Sequence, residues 1–468
     1  MRPRRAVALP FVYGTLTAAM TRRPARLVAL VLALAVMAGS GGARPPSPAE
    51  YALAAGDLQT ARQLAQDQLQ INPKDAAALS VLAAVNLAHG QPKAARQNAS
   101  RAFAAGSSKH ERFVAARLAA KAAHGQGQSL VAQYWLRRAV QDAPTAQAEA
   151  VAITDFQSLR RVTRLQLSFD ATFRPSENVN NGAQDPMLSI DGIPTHFIFT
   201  PSSRALPGAE TRLGFGLRYR LSGTERHGTD LGLRLTHSAI VLNDRARRIA
   251  PMARGSDFST STADVQLSHY GALSENTVLR GGVQLGQSWL AGQHYANRAK
   301  LDASLTQRLS PATLTRLGLA VERQWRTGTV PAATALMIDS ATEHRLASGD
   351  VIGLRLIAGK TVSYDANQEN KSLTSELRYS VGKPLAGVQL SGALGLGLRD
   401  YPVFFGGAFG NSGRHDRTAS ASVDLSLTRL NAFGFEPVFS LETRRTRSNI
   451  SRYDGTDLGL GIRIRSSF

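Results

Sequence analysis

The chain has no cysteine among its 468 residues. That excludes disulfide bridges, thiolate metal sites and a lipid-modified N-terminal cysteine. Aromatic residues are scarce at 6%, so any aromatic girdle at a membrane interface must be thin. Charged residues make up 19% of the chain and mean hydropathy is −0.16, too polar for a protein that crosses a membrane as a bundle of helices. Acidic residues are outnumbered, 34 Asp and Glu against 55 Lys and Arg, which leaves a net charge of +21. In a soluble protein that balance would point to nucleic acid. Here the patterning points to a different anion and to no nucleic-acid partner.

What is present is alternation. In Leu458-Gly459-Leu460-Gly461-Ile462-Arg463-Ile464-Arg465 large apolar residues take every second position, with small or charged ones between. Period two marks a strand with different solvents on its two faces. The pattern recurs at Leu213, Phe215, Leu217, Tyr219 and Leu221, at Leu231, Leu233 and Leu235, and at Leu394, Leu396 and Leu398.

The N-terminus reads as an export address. Thr21-Arg22-Arg23-Pro24-Ala25-Arg26 is followed by the apolar run Leu27 to Met37 and by Gly41-Gly42-Ala43. A basic stretch, a short apolar stretch and small residues at a cut site describe a secretory signal peptide over 1–43. Its apolar run is about half of the ~20 residues a helical span needs. Met20 is a second candidate start.

Residues 44–155 change to helical period. Gly56 and Ala61 lead to Leu69 and Asn72-Pro73; Gly90 and Ala95 to Ala102 and Phe103; Gly127 and Ala132 to Ala139, Val140 and Pro144. Gly at an inter-helix turn, Ala where helices approach and Pro beyond the second helix, at a step of about 34 residues, are the marks of tetratricopeptide helix pairs. The plainer alternative is an Ala-rich helical bundle. A short solenoid would hold a client polypeptide on its concave face, with Tyr51, Phe103, Phe113, Tyr134 and Trp135 as candidate contacts. Aromatics at helical spacing also serve as core.

Residues 156–468 give about fourteen strands. Long connections are expected near 174–210, 240–259, 289–295, 326–333, 362–370, 401–414 and 447–455, alternating with turns at Gly223 to His227, Gly271 to Glu275, Ser310-Pro311, Ala347 to Gly349, Gly382 to Pro384 and Asn431 to Gly434. Loops on one rim and turns on the other are the plan of an outer-membrane barrel, whose sheet must close because unpaired backbone in lipid costs several kcal/mol per group. An even strand count leaves both chain ends of the barrel on the periplasmic side. Phe468, terminating an alternating strand, resembles the signal read by the barrel-assembly machinery.

Opposite the apolar rows stand Arg212, Arg218, Arg220, Arg234, Thr236 and Gln266, which would line a lumen. Arg245, Arg247, Arg248 and Arg254 cluster in a long loop, where guanidinium forks suit lipopolysaccharide phosphates; a merely solvated loop is the alternative. His237, His269, His294, His344 and His415 sit in no nucleophile-elbow pattern. Gly359-Lys360-Thr361 lacks the upstream glycine of a phosphate-binding loop, since position 354 is Leu. No catalytic, metal or cofactor motif emerges, and a non-enzymatic role is expected.

Signal peptide, short tetratricopeptide domain and single barrel together resemble the surface lipoprotein assembly modifiers of Gram-negative bacteria. Two stretches add to this: Pro175-Ser176-Glu177-Asn178-Val179-Asn180 after the first strand, and Arg447-Ser448-Asn449-Ile450 with Tyr453 before the last. The resemblance implies an outer-membrane factor that moves lipoproteins or related secreted proteins to the cell surface, its helical domain engaging the client in the periplasm. It implies no cofactor and no catalytic residue. The competing class is an exopolysaccharide exporter or passive porin; of these, a polymer channel should have a lumen of consistent sign.

Overall fold

The computed structural model describes residues 45–224, 226–404, 413–427, 430 and 432–466. The signal-peptide reading and Phe468 lie outside the described residues. The chain divides into two compact units, the first ending at Ala152 and the second beginning at Ile153.

The first unit is built of helices α1 (Pro48–Ala54), α2 (Leu58–Ile71), α3 (Ala76–Ala88), α4 (Pro92–Ala105), α5 (Lys109–Gly125) and α6 (Ser129–Gln141). Four of the starts follow from capping: Ser47 and Glu50 form a reciprocal capping box, as do Ser108 and Glu111, while Asp57 and Asp75 accept from Thr60 N–H and Ala78 N–H. Gly56, Gly90 and Gly127 all have positive φ, 81°, 69° and 72°. They turn the chain between the two helices of each pair, a conformation that a Cβ would strain. Ala61, Ala95 and Ala132, each five residues beyond such a glycine, are fully buried. A methyl is all that the close helix approach admits. Each helix packs on the next, and first helices of adjacent pairs also touch, α1 on α3 and α3 on α5. That is the neighbour pattern of a repeat stack. A seventh helix, α7 (Ala146–Val162), carries the chain across the boundary between the units.

The second unit is a closed antiparallel barrel. Its strands are β1 (Leu165–Ser176), β4 (Gly208–Gly223), β5 (His227–Leu242), β6 (Thr260–Ser274), β7 (Thr277–Leu290), β8 (Gln293–Ser310), β9 (Thr313–Arg326), β10 (Ala333–Arg345), β11 (Val351–Ser363), β12 (Asn370–Ser380), β13 (Val388–Tyr401), β14 (Arg414–Leu427), β15 (Phe435–Ser448) and β16 (Gly455–Ser466). Each pairs with its neighbours in order, and β16 returns to β1. The fourteen-stranded sheet therefore has no free edge. Inside the first long loop lies a separate hairpin, β2 (Met187–Ile190) with β3 (Ile193–Ile198), and the next long loop carries a short helix, α8 (Asp244–Ile249).

The connection expected to be long at 289–295 is instead a two-residue turn. Ala291 and Gly292 both have positive φ, 52° and 78°, the conformation that matches the twist of a tight hairpin. The connection from β12 to β13 occupies 381–387, wider than the expected Gly382 to Pro384. The apolar rows face outward and are exposed, Leu394 at 62%, Leu396 at 65% and Leu458 at 61%. In water a surface of this extent would be unstable; in hydrocarbon it is the solvated face. No helix among the described residues is long and apolar enough to cross a membrane.

Candidate functional site: the seam, its clasp and the lumen

Barrel closure is uneven. Thirteen junctions pair over ten to fifteen positions, from β12 with β13 up to β4 with β5. At the fourteenth, β1 and β16 pair at only three among the described residues, Ala171 with Ile464, Thr172 with Arg463 and Phe173 with Ile462. Pro175, with no N–H to give, lies just beyond, toward the loop rim. Backbone pairing gives way there to side chains. Arg174 Nη1 and Ser176 Oγ both donate to the Asp457 carboxylate at 2.8 Å. Arg174 also lies 3.6 Å from Glu210, which accepts from Arg212 and Ser238.

Above this point the loop 177–207 is stitched to the loop 449–454. Gln184 accepts from Thr456 N–H at 3.0 Å and donates to its carbonyl at 2.6 Å. Ser189 N–H donates to Ser451 Oγ at 2.8 Å, and Arg452 donates to the Asn181 carbonyl at 2.8 Å. Asn449 Nδ2 donates to Asp191 at 3.1 Å and its Oδ1 accepts from His415 N–H at 2.8 Å. Asn178 brackets Gly182, accepting from its N–H and donating to its carbonyl. Asn180 accepts from Leu206 N–H and donates to the Ser202 and Arg204 carbonyls, and Val179 packs beside the cluster of Leu206, Ile240 and Leu242. The two stretches singled out in the sequence thus stand on opposite sides of one seam: Ser176 and Asn449 reach across it, while Asn178 and Asn180 fold the 177–207 loop onto itself. Ser448 Oγ accepts from Ile450 N–H and closes the turn.

Under the clasp, Arg414 is buried in an aromatic cage, its guanidinium 3.3 Å from the Tyr453 ring centre, 4.3 Å from Tyr401 and 5.1 Å from Phe404. Asp416 balances its charge at 2.6 Å. Burial pushes the Tyr453 phenol above its ordinary value, against the pull of Arg414 and Arg452. A desolvated cation over three rings is a strong, geometry-specific anchor.

The lumen is not of one sign. Arg234 meets Asp170 at 2.7 Å, Arg298 meets Asp264 at 2.7 Å, Arg355 meets Asp339 at 2.7 Å and Arg220 meets the buried Asp230 at 3.0 Å; Arg465 pairs with Glu436. Of the expected lumen arginines, Arg218 and Arg220 meet Asp230 and Arg234 meets Asp170, carboxylates on other strands, while Arg212 pairs with Glu210 on its own strand. Arg218, Arg234 and Gln266 line a lumen cavity of 510 Å³ together with Asp230 and Asp264. Sequence reading missed these carboxylates because strand register, not local pattern, brings them opposite the arginines.

Of the proposed client contacts, Tyr51 and Tyr134 are exposed, at 55% and 54%, while Phe113 is a buried core residue at 6%. Phe103 and Trp135 are partly buried, edge to face at 5.4 Å, with Arg138 over Phe103. In the arginine loop, Arg245 pairs with Glu177 at 2.9 Å and Arg247 with Asp244 at 3.3 Å; Arg248 and Arg254 are exposed. His237, His269 and His344 each meet a Ser or Thr hydroxyl, His294 meets Asn297 and His415 pairs with Asp400. Among the described residues no group of His, Asp and Glu is placed to hold a metal ion.

A closed barrel with a lipid-suited exterior and a charged, self-paired interior, preceded by a helical domain, defines the class: a transmembrane β-barrel protein of the outer-membrane type. No protein-family description and no curated protein matches the chain. Solved structures that it resembles are outer-membrane barrels. A loop-deletion mutant of OmpT, an outer membrane protein of Vibrio cholerae, is 8% identical over 64% of this chain and 99% of its own, with a TM-score of 0.35. CdiB from Acinetobacter baumannii is 10% identical over 65% of this chain and 60% of its own, at 0.36. A bacterial polysaccharide outer membrane secretin is 9% identical over 63% and 97%, at 0.32. Likeness at this level carries nothing about cargo.

Proposed function

We propose that this chain is an outer-membrane translocation factor that passes lipoproteins, or related secreted proteins, to the cell surface. In this reading the helix pairs are tetratricopeptide repeats standing in the periplasm, as in the surface lipoprotein assembly modifiers that the sequence resembles. The observation that carries it is the seam: three paired positions between β1 and β16 among the described residues, reinforced by side chains that can release without unfolding the other thirteen junctions. A client held by the repeats gains effective concentration at the barrel mouth. Transient pairing along the opened seam, or folding outside, then supplies direction without nucleotide.

A polymer exporter fits less well, because Asp170, Asp230, Asp264 and Asp339 stand among the lumen arginines and pair with Arg234, Arg220, Arg298 and Arg355, which interrupts a cationic track for an anionic chain. The test is antibody labelling of lipoproteins on intact cells with and without the gene. Loss of one lipoprotein from the surface, while it is still made and lipidated, supports the reading. Unchanged lipoproteins with a solute or polysaccharide that no longer crosses make the chain a porin or exporter. Deleting residues 50–150 tests the tether: normal client display without them refutes it.

A further inference from the structure

The outer face of the barrel carries a second electrostatic pattern. On β11 to β15 five cations point to the lipid side: Lys360 on β11, Lys371 on β12, Arg417 on β14, and Arg445 and Arg447 on β15. All five are exposed and alternate with the outward apolar rows, Lys360 with Leu356 and Val362, Arg417 with Val423 and Leu425. Whereas Arg220, Arg234, Arg298 and Arg355 in the lumen meet carboxylates, none of these five has a hydrogen-bond or ion-pair partner among the described residues. Of the Gly359-Lys360-Thr361 run, Lys360 alone stands on this face, and Thr361 lines an interior pocket with Glu322 and Arg326.

Register makes the arrangement costly. Lys360 lies directly opposite Lys371, and Arg417 directly opposite Arg447. Like charges in opposed cross-strand positions repel. Two such doublets occur within five strands, close to the loop rim. The carboxylate on this face between them, Asp400, lies opposite Lys371 on one side and meets His415 on the other. The doublets are three strand spacings apart, about 15 Å. Below them run Leu373, Leu396 and Leu398, exposed at 49%, 65% and 55%. Paired cations at two points, over an apolar wall, fit one kind of occupant: an amphiphile with two anionic groups at the ends of a rigid head and acyl chains beneath it.

We propose that the outer face of β11 to β15 at the loop rim is a binding site for a diphosphorylated glycolipid of the outer leaflet. The Lys360 and Lys371 ammoniums take one phosphate and the Arg417 and Arg447 guanidiniums the other, with Arg445 flanking, while the acyl chains lie on the leucine rows. Each phosphate relieves the repulsion of its doublet, so the lipid stabilises the part of the barrel it covers. The site is distinct from the arginine loop at 245–254, where two of four cations are already paired. It rests on the loop rim facing outward and not on the identity of any client.

The test uses the full chain purified in detergent, with diphosphoryl lipid A, monophosphoryl lipid A and inorganic phosphate as probes and native mass spectrometry as the readout. Wild type is expected to retain diphosphoryl lipid A, and to hold the monophosphoryl form about tenfold more weakly. Lys360→Gln/Lys371→Gln and Arg417→Gln/Arg447→Gln should each lose about tenfold, Lys360→Arg/Lys371→Arg should bind as wild type, and Arg245→Gln/Arg248→Gln should be unaffected. Heat-modifiable migration checks assembly; a doublet variant that does not assemble is replaced by Lys371→Gln or Arg447→Gln alone, each expected to weaken binding. Equal retention by wild type and the doublet variants overturns the proposal. So does displacement of the glycolipid by inorganic phosphate at comparable concentration, which would make this a free-anion site. Maleimide labelling of Asn367→Cys on intact cells checks separately that the loop rim is outside.

Discussion

Removing the Asp457 carboxylate should loosen one junction and leave the rest of the barrel alone. Asp457 accepts from Arg174 and Ser176, both at 2.8 Å, where backbone pairing between β1 and β16 has stopped. A hydrogen bond to a charged group contributes roughly 1.5–3 kcal/mol when buried. Here the Arg174 and Asp457 side chains keep 32% and 25% of their exposure, and Glu210 remains 3.6 Å away to hold part of the guanidinium. Discounting for solvent leaves about 2 kcal/mol for Asp457→Ala, or about 30-fold in the local opening equilibrium. Amide hydrogen exchange reads this directly. Exchange in 455–462 and 171–176 should rise about 30-fold, with β7 and β8 unchanged. Unaltered exchange at the seam would refute the clasp, and a uniform rise over all strands would show Asp457 to be a general barrel residue.

Ala95→Leu places three extra carbons where α4 has no room, and should lower the helical unit's stability by about 1–3 kcal/mol, seen as an earlier loss of helical circular dichroism with the barrel signal intact. Glu111 titrates below its ordinary value of 4.5: burial alone would raise it, and hydrogen bonds from Ser108 and Ser107 outweigh that. Its stabilisation is therefore full above that value and disappears as pH falls through the lowered one, so α5 should loosen as pH falls below 4.5, and Glu111→Gln should flatten that part of the pH profile. Asn449→Ala removes its bonds to Asp191, His415 and Gly413, and protease added to intact cells should cut the 177–207 loop faster while the barrel core survives.

Much of the architecture could be read from periodicity. Alternation at Leu213 to Leu221 and Leu394 to Leu398 located strands because each face has one solvent, and Gly56, Gly90 and Gly127 located helix-pair turns because positive φ excludes other residues. Turn chemistry was less legible at 289–295, where Ala291 hides a tight turn that Asn or Asp would have advertised. Register was not legible at all. Arg234 meets Asp170, and Lys360 faces Lys371, across strands whose relative stagger no local pattern encodes. The hairpin β2–β3 and helix α8 escaped for a related reason, since both are short and held by the clasp and the loop cluster, not by their own propensity. Asn178 and Asn449 did read as loop residues; that Asn449 ties its loop to Asp191 across the seam, while Asn178 braces its own loop at Gly182, emerges only in three dimensions.

The measurement that bears most directly on the central claim is a reversible lock on that seam. Ala171 and Ile464 are opposite one another in register, at a separation that a disulfide can bridge, and the absence of native cysteine makes Ala171→Cys/Ile464→Cys the sole bridge in the chain. Leu377→Cys/Leu394→Cys, opposite one another on β12 and β13, is the control lock. Under oxidation the seam lock should stop a client lipoprotein from reaching the surface of intact cells, and reductant should restore it, with the control lock having no effect. Normal client display through an oxidised seam would contradict the account.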